Sequence, residues 1–215
     1  MSEAKMKAGR RAADLVESGM VLGLGTGSTM LFCLERLGER IRTEGLQVEG
    51  VPTSMATEQA ARRLGIPLTD FDRVQRVDFA VDGADEVDPD GNMIKGGGGA
   101  LLREKIVLAA ASRSAIVITP AKRVERLGER FLLPVEVVPF GWWPASRRLE
   151  ELGCTTLLRR HPSGVQYVTD NGNYILDCRF EGIDDPARLE RRINNVPGVV
   201  ENGLFVGLAG EIVEG

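Results

Sequence analysis

The stretch 82–105, DGADEVDPDGNMIKGGGGALLREK, gathers the residues of this chain best suited to chemistry. Asp82, Asp85, Glu86, Asp88 and Asp90 crowd its first part, Lys95 precedes the glycines 96–99, and Glu104 stands in the helix-like segment beyond. A calcium loop is excluded. Residues 86–91 open like an EF-hand, but the first position is Glu, Pro89 interrupts, and the twelfth position is Gly97 instead of Glu. Asp88 and Asp90 read as a solvated acidic turn, whereas Asp82 and Asp85 follow an apolar strand directly and read as site carboxylates. Glycines without side chains let backbone N–H groups approach a ligand oxygen, which makes 96–99 an anion or oxyanion cradle with Lys95 at its mouth. A flexible linker is the plainer alternative, yet this run leads straight into an apolar helix. Within that helix Leu101, Val107 and Leu108 place Glu104 on an apolar stripe, where a carboxylate is costly without a partner or a task. An ion pair with Arg103 or Lys105 would suffice structurally; the nearby Lys95 and two aspartates favour a task. A buried carboxylate base, a second acid/base carboxylate, a lysine and oxyanion donors suit proton abstraction next to a carbonyl, with the enediolate held by N–H groups and Lys. The set contains neither a catalytic histidine nor a metal-ligand cluster.

The second constellation is VLGLGTGST at 21–29. A strand over 20–24, a turn of Gly25, Thr26, Gly27, Ser28 and Thr29, and an amphipathic helix to about 42 present free N–H groups and a positive dipole end to an anion. The dinucleotide pattern G-x-G-x-x-G fails here, because Ser28 or Met30 falls at the third glycine, and no Walker lysine follows. A phosphate monoester suits the turn; a tight turn with capping hydroxyls is the alternative. Lysines are scarce, five against 22 arginines, so Lys5, Lys95 and Lys122 are candidates for point-charge roles, while Lys7 and Lys105 fit an ordinary surface. Lys122 follows the strand 114–119 and so either faces the same strand ends or merely opens the polar segment AKRVERLG.

The elements that must position these residues alternate along the first part of the chain. A helix over 2–17, strands at 20–24, 46–51, 77–81 and 114–119, and helices following the turn at 25–29 and starting at 54 and 100 predict a doubly wound, mostly parallel Rossmann-like α/β sheet, whose ligands gather at the carboxyl ends of the strands. Ser54 with Thr57 and Glu58 reads as a helix start. From 133 the texture changes to strand, helix, strand, strand, Asn171–Gly172 turn, strand, helix, strand, which predicts a smaller ferredoxin-like α+β domain. The expected division is a catalytic domain of 1–131 plus 204–215 and a small domain of 132–203 serving as an oligomer interface. Trp142 and Trp143 at the junction read as packing or interface residues, and His161, the only histidine, as a surface residue.

Composition narrows the class further. Hydrophobic residues make up 43% and charged residues 27%, with a net charge of −4 and no basic stripe, which argues against a nucleic-acid surface. No apolar run approaches the roughly 18 residues that span a bilayer, and 1–19 lacks a signal-peptide centre. Cys33, Cys154 and Cys178 show no CxxC and read as buried, reduced thiols of a cytoplasmic protein without membrane partners.

The motifs GLGTGST (23–29), DGADE (82–86), KGGGGA (95–100), REKI (103–106), PVEVVPFG (134–141) and VTDNGN (168–173), in this order, resemble type A ribose-5-phosphate isomerases over most of the chain. The resemblance implies interconversion of D-ribose 5-phosphate and D-ribulose 5-phosphate in the non-oxidative pentose phosphate pathway, without metal or organic cofactor, by a homodimer or homotetramer. It implies Glu104 as the base moving the proton between C2 and C1, Asp82 as the acid/base group that opens the furanose, and Asp85 and Lys95 as groups orienting and polarising the oxygens. Thr26, Gly27, Ser28 and Thr29 match the substrate loop, with Ser28, Thr29, Lys122 and Lys5 on the phosphate. Gly83, Ala84, Gly96, Gly97 and Gly98 complete the implied substrate contacts. Leu102 departs from the family's frequent Thr, which removes one polar contact and leaves the base in place. A non-catalytic sugar-phosphate sensor and a CoA-transferring enzyme are the rival readings; the first would lack the buried base, and no segment serves a nucleotide for the second.

Overall fold

The computed structural model describes residues 2–215. Its elements are α1 (Ser2–Asp14), β1 (Val21–Leu24), α2 (Ser28–Glu44), β2 (Glu49–Pro52), α3 (Met55–Arg63), β3 (Val77–Gly83), β4 (Glu86–Val87), β5 (Met93–Ile94), α4 (Leu101–Ala109), β6 (Ala111–Ile118), β7 (Leu133–Val137), α5 (Trp142–Glu150), β8 (Thr155–Leu158), β9 (Tyr174–Arg179), α6 (Pro186–Asn194), β10 (Val199–Asn202), β11 (Leu204–Phe205) and β12 (Glu211–Glu214). They fall into two compact units, one of 1–84, 103–122 and 208–215, the other of 85–102 and 123–207. These bounds differ from the expected 1–131 plus 204–215 and 132–203, because 85–102, 123–131 and 204–207 cluster with the second unit.

In the first unit five parallel strands run in the order β12-β6-β3-β1-β2. Successive side chains on a strand point to opposite faces. Leu22, Leu24, Phe79, Val81, Ala115, Val117 and Val213 therefore share one core with Ala8, Ala12, Cys33, Leu34, Leu37, Ala60 and Ala61 from α1, α2 and α3. On the opposite face Gly23 and Ala80 meet Val107 of α4, and a Cβ at Gly23 would come within 2.8 Å of the Ala80 Cβ. The sheet is thus covered on both sides. Helix α2 ends where Gly45 adopts φ 70°, and α3 begins where the Ser54 hydroxyl accepts the Thr57 N–H, the capping that its sequence predicts. Helix α1 stops at Asp14, short of the expected 17, and Arg40 of α2 donates to the carbonyls of Ala13 and Val16 at its end.

Strand order reverses between β1 and β3. The chain leaves β1 for its neighbour β2 on one side, then returns to pair β3 on the other, with Leu24 opposite Val81. Ligands of open parallel sheets bind at such switch points, outside the carboxyl ends of the strands.

The second unit contains a four-stranded antiparallel sheet, β10-β7-β9-β8, with α5 and α6 packed on it, and a small antiparallel sheet, β11-β5-β4. The connectivity β7-α5-β8-β9-α6-β10 is the ferredoxin-like arrangement. Two expected strands come out differently. Residues 165–170 form no ladder: they meet the chain just beyond β8 at a single antiparallel bridge, Gln166 opposite Arg160, and the Asn171–Gly172 turn that follows is closed by the Thr169 N–H to Asn173 O bond of 2.9 Å. The run 199–206 splits into β10 and β11 at Gly203, whose N–H donates to Pro134 O and which has no room for a Cβ beside the Pro134 Cδ at 2.8 Å.

Candidate active site

In the first unit the site begins with Asp82, which is 1% exposed near the end of β3. It follows Val81 and so projects on the face opposite the α1–α2 core, the face that α4 covers. Its Oδ1 accepts the N–H groups of Gly83 at 2.7 Å and Thr26 at 3.2 Å. A Cβ at Gly25 would overlap this carboxylate, so the glycine of the β1 turn is what lets the acid lie against the backbone.

Helix α4 connects two parallel neighbours, β3 and β6, so it runs back across the sheet and its N-terminal turn lies at the carboxyl ends of the strands. Glu104 is in that turn, 4% exposed, one helical turn before Val107, whose side chain rests over Gly23. Glu104 and Asp82 are therefore buried carboxylates on one side of the sheet, at its switch-point end. Lys105, expected at the surface, is buried at 9%, while Lys7 is exposed.

The turn 25–29 divides between structure and ligand. The Thr26 hydroxyl donates to Ser54 Oγ at 2.8 Å, Ser54 to Thr57 Oγ1 at 3.0 Å, and Thr57 to the Gly25 carbonyl at 2.9 Å, a directed chain that ties the turn to the start of α3. Thr26 thus contributes to the fold through its hydroxyl and to Asp82 through its N–H. Gly27, at φ 121°, takes a conformation that disfavours any side chain, and no side chain caps the helix after it. Ser28 is exposed and Thr29 half-buried at this N-terminus, and Lys5 Nζ donates to Ser28 Oγ at 2.9 Å. One cation and the open end of a 17-residue helix make a fit for a dianion. Lys122, half-buried, ends a short 3-10 turn after β6. Gly83 closes β3 and Ala84 is the last residue of the segment.

In the second unit Asp85 donates its N–H to Ile94 O at 2.8 Å, and its Oδ2 accepts the Gly97 N–H at 2.8 Å. Lys95 is 2% exposed, its N–H donating to Gly203 O and its ammonium standing 5.4 Å from the centroid of the Phe205 ring. The glycine run is a built turn. Gly96 and Gly99 have φ of 103° and 81°, and the Gly99 N–H donates to Gly96 O. Since Gly97 and Gly99 spend their N–H groups within the protein, ligand donors in this run are confined to Gly96 and the exposed Gly98. Arg159 donates to the carbonyls of Gly96 at 3.0 Å and Gly97 at 3.2 Å, and the Tyr167 hydroxyl to that of Gly98 at 3.1 Å. Burial pushes the Tyr167 phenol up, so it remains a donor. Neither residue was marked by the sequence, because each is remote from the glycines along the chain.

Two acidic residues of the motif are structural. Glu86, 1% exposed, accepts the N–H groups of Gly128 at 2.6 Å and of Arg130 and Phe131 at 2.7 Å. Asp88 is 7% exposed rather than solvated, and it closes its turn by accepting from the Asn92 N–H at 2.7 Å and the Asn92 side chain at 2.9 Å; Asp90 is exposed as expected. Cys33, Cys154 and Cys178 are free and buried. His161 lies at the surface with its ring 5.1 Å from that of Tyr167. No group of three or more metal-ligating side chains is found among the described residues, and no helix among them is long and apolar enough to cross a membrane.

A sequence profile described as ribose 5-phosphate isomerase A (phosphoriboisomerase A) matches residues 49–215. The chain is 55% identical over 206 residues to a ribose-5-phosphate isomerase A of Roseiflexus castenholzii, covering 95% of this chain and 88% of that one. It is 50% identical over 212 residues to that of Synechococcus sp. (strain JA-3-3Ab), covering 98% and 92%. Among solved structures it is similar to ribose 5-phosphate isomerase A from Methanocaldococcus jannaschii, with a TM-score of 0.93 at 43% identity over 97% of this chain and 92% of the other. A D-ribose-5-phosphate isomerase in complex with phospho-erythronic acid gives a TM-score of 0.93 at 39% identity, over 96% and 91%.

Proposed function

We propose how the chemistry is divided within this chain, which belongs to the ribose 5-phosphate isomerase A family and interconverts D-ribose 5-phosphate and D-ribulose 5-phosphate. Glu104 takes the proton from C2 of the open-chain aldose and returns it to C1. Asp82 exchanges the proton of the ring and hydroxyl oxygens during furanose opening. The observation that carries this assignment is the burial of both carboxylates on the α4 side of the sheet, at the end where β1 and β3 diverge.

Asp85 and Lys95 orient and polarise the C1 and C2 oxygens, and Gly96 and Gly98 supply the N–H groups of the cradle. Ser28 and Thr29, with Lys5 and Lys122, hold the phosphate, while Thr26, Gly27, Gly83, Ala84 and Gly97 shape the substrate surface through their backbone. The relative whose structure was solved in complex with phospho-erythronic acid supports the enediolate route. That ligand is a phosphorylated acyclic sugar acid whose carboxylate spreads negative charge over two oxygens, as an enediolate does. The reaction belongs to the non-oxidative pentose phosphate pathway, and the three reduced, buried thiols support a cytoplasmic setting.

By role, the segment 132–203 serves assembly and the remainder, 1–131 plus 204–215, serves catalysis. Val138, Phe140 and Trp143 are exposed on that small segment, Phe140 completely, which supports a homodimer or homotetramer built through it. Sedimentation equilibrium giving only a monomer would overturn this.

The functional test mixes EDTA-treated protein with ribose 5-phosphate and follows ketose formation. Glu104→Gln lowers kcat by at least about 10²-fold, within the range of a lost general base, while equilibrium binding of ribose 5-phosphate changes little. Full turnover in this variant would remove Glu104 from its role.

A further inference from the structure

We infer that Arg159, Asp177 and Tyr167 form a brace that sets the peptide planes of the glycine loop, making them positioning residues for the isomerisation; this rests on the functional reading above. A trans peptide plane points its C=O and the next residue's N–H in opposite directions. The Arg159 bond to Gly96 O at 3.0 Å therefore aims the Gly97 N–H away from the guanidinium, and that N–H is the one donating to Asp85 Oδ2 at 2.8 Å. By the same geometry the bond to Gly97 O at 3.2 Å aims the N–H of the exposed Gly98 away from Arg159, toward ligand. The Tyr167 bond to Gly98 O at 3.1 Å fixes the next plane, whose Gly99 N–H closes the turn on Gly96 O at 2.9 Å.

Glycines need such a brace because they sample both signs of φ freely, and a loop of four has no side chains to hold it. The brace is itself held. Asp177 of β9 grips Arg159 in a two-pronged pair, with Nε on Oδ2 at 2.9 Å and Nη2 on Oδ1, both side chains being 14% exposed. The guanidinium lies 5.7 Å from the centroid of the Tyr167 ring, and a Cβ at Gly99 would overlap the Tyr167 hydroxyl. A cation on two carbonyls also polarises their peptides, which strengthens donation from the Gly97 and Gly98 N–H groups. The ferredoxin-like sheet thereby acts on the reaction without touching substrate.

The test compares wild type, Arg159→Ala, Arg159→Lys and Tyr167→Phe with ribose 5-phosphate. Arg159→Ala lowers kcat by about 10²-fold, the cost of a displacement on the order of 1 Å, with KM within about threefold of wild type. Sub-denaturing guanidinium restores part of that rate to Arg159→Ala and none to Glu104→Gln, and Arg159→Lys, which cannot span two carbonyls and two carboxylate oxygens, stays impaired. Tyr167→Phe loses one hydroxyl and keeps its ring, so it reads the same effect, about tenfold in kcat, if the arginine variants fail to fold. Unchanged kcat in folded brace variants, or a rise in KM alone, overturns the inference while wild-type turnover leaves the functional reading intact. A wild type that forms no ketose overturns that reading instead.

Discussion

Adding a single methyl group at Gly25 probes the placement of Asp82 without altering any ionisable group. A Cβ on Gly25 would lie 2.6 Å from the Asp82 Cα and overlap its carboxylate. Carbon atoms in contact sit about 3.5 Å apart, so Gly25→Ala requires Asp82 and the β1 turn to separate by about 1 Å. Both backbones are anchored in the parallel sheet, where Leu24 faces Val81 and the Gly25 N–H donates to Val81 O at 2.9 Å, so part of the movement falls on the carboxylate. The Thr26 N–H bond to Asp82, at 3.2 Å already the longer of its two backbone bonds, is the first to break. A displacement of this size in an acid/base group costs about 10²-fold in kcat, or about 2.7 kcal/mol in the barrier. Overpacking lowers stability by about 1–3 kcal/mol, which leaves the variant folded at low temperature. The measurement is kcat and KM for ribose 5-phosphate on protein shown to be folded by circular dichroism. Gly141→Ala is the control, because Gly141 has φ −111° and nothing within 4 Å of its added Cβ. A folded Gly25→Ala variant with kcat within about twofold of wild type would refute the placement of Asp82 as a determinant of rate.

Glu86→Gln tests the structural half of the acidic motif. The amide nitrogen cannot accept, so one of three charge-assisted backbone bonds is lost and the others weaken, for a loss of about 3 kcal/mol. The urea midpoint falls with an unchanged slope, and a loss below about 1 kcal/mol would contradict the anchoring role. Lys122→Ala raises KM for ribose 5-phosphate and weakens inhibition by inorganic phosphate in parallel, with kcat nearly unchanged, because holding the phosphate is mostly uniform binding. A fall in kcat alone would assign Lys122 a different role.

What could be read from the sequence followed local rules. The β1 turn, the Ser54 cap, the parallel sheet and the buried Glu104 each announce themselves through spacing, glycine or an apolar stripe interrupted by charge. The misreadings arise where the fold, and not the local pattern, decides which partner a group finds. Thr26 stands in the turn read as an anion site, yet its hydroxyl is committed to Ser54, which only the pairing of β1 with β2 brings near. Asp88 looks solvated beside Asp90 until its turn closes on Asn92. Residues 165–170 alternate like a strand, but they run past the end of β8 and meet the chain there only at the single bridge of Gln166 with Arg160.

The glycine run carries this lesson into function. Four glycines in sequence state only that close approach is possible, and they say nothing of which N–H groups remain for a ligand. That depends on acceptors and donors supplied from outside the run. Asp85 takes one N–H, the turn takes another, and Arg159 and Tyr167 fix the carbonyls from more than sixty residues away. A loop free enough to bind in many ways is thus reduced to one presentation by side chains that resemble ordinary members of a small antiparallel sheet. Selection at the glycines alone would leave the cradle unformed; on the inferred brace, the sheet at 155–179 completes it.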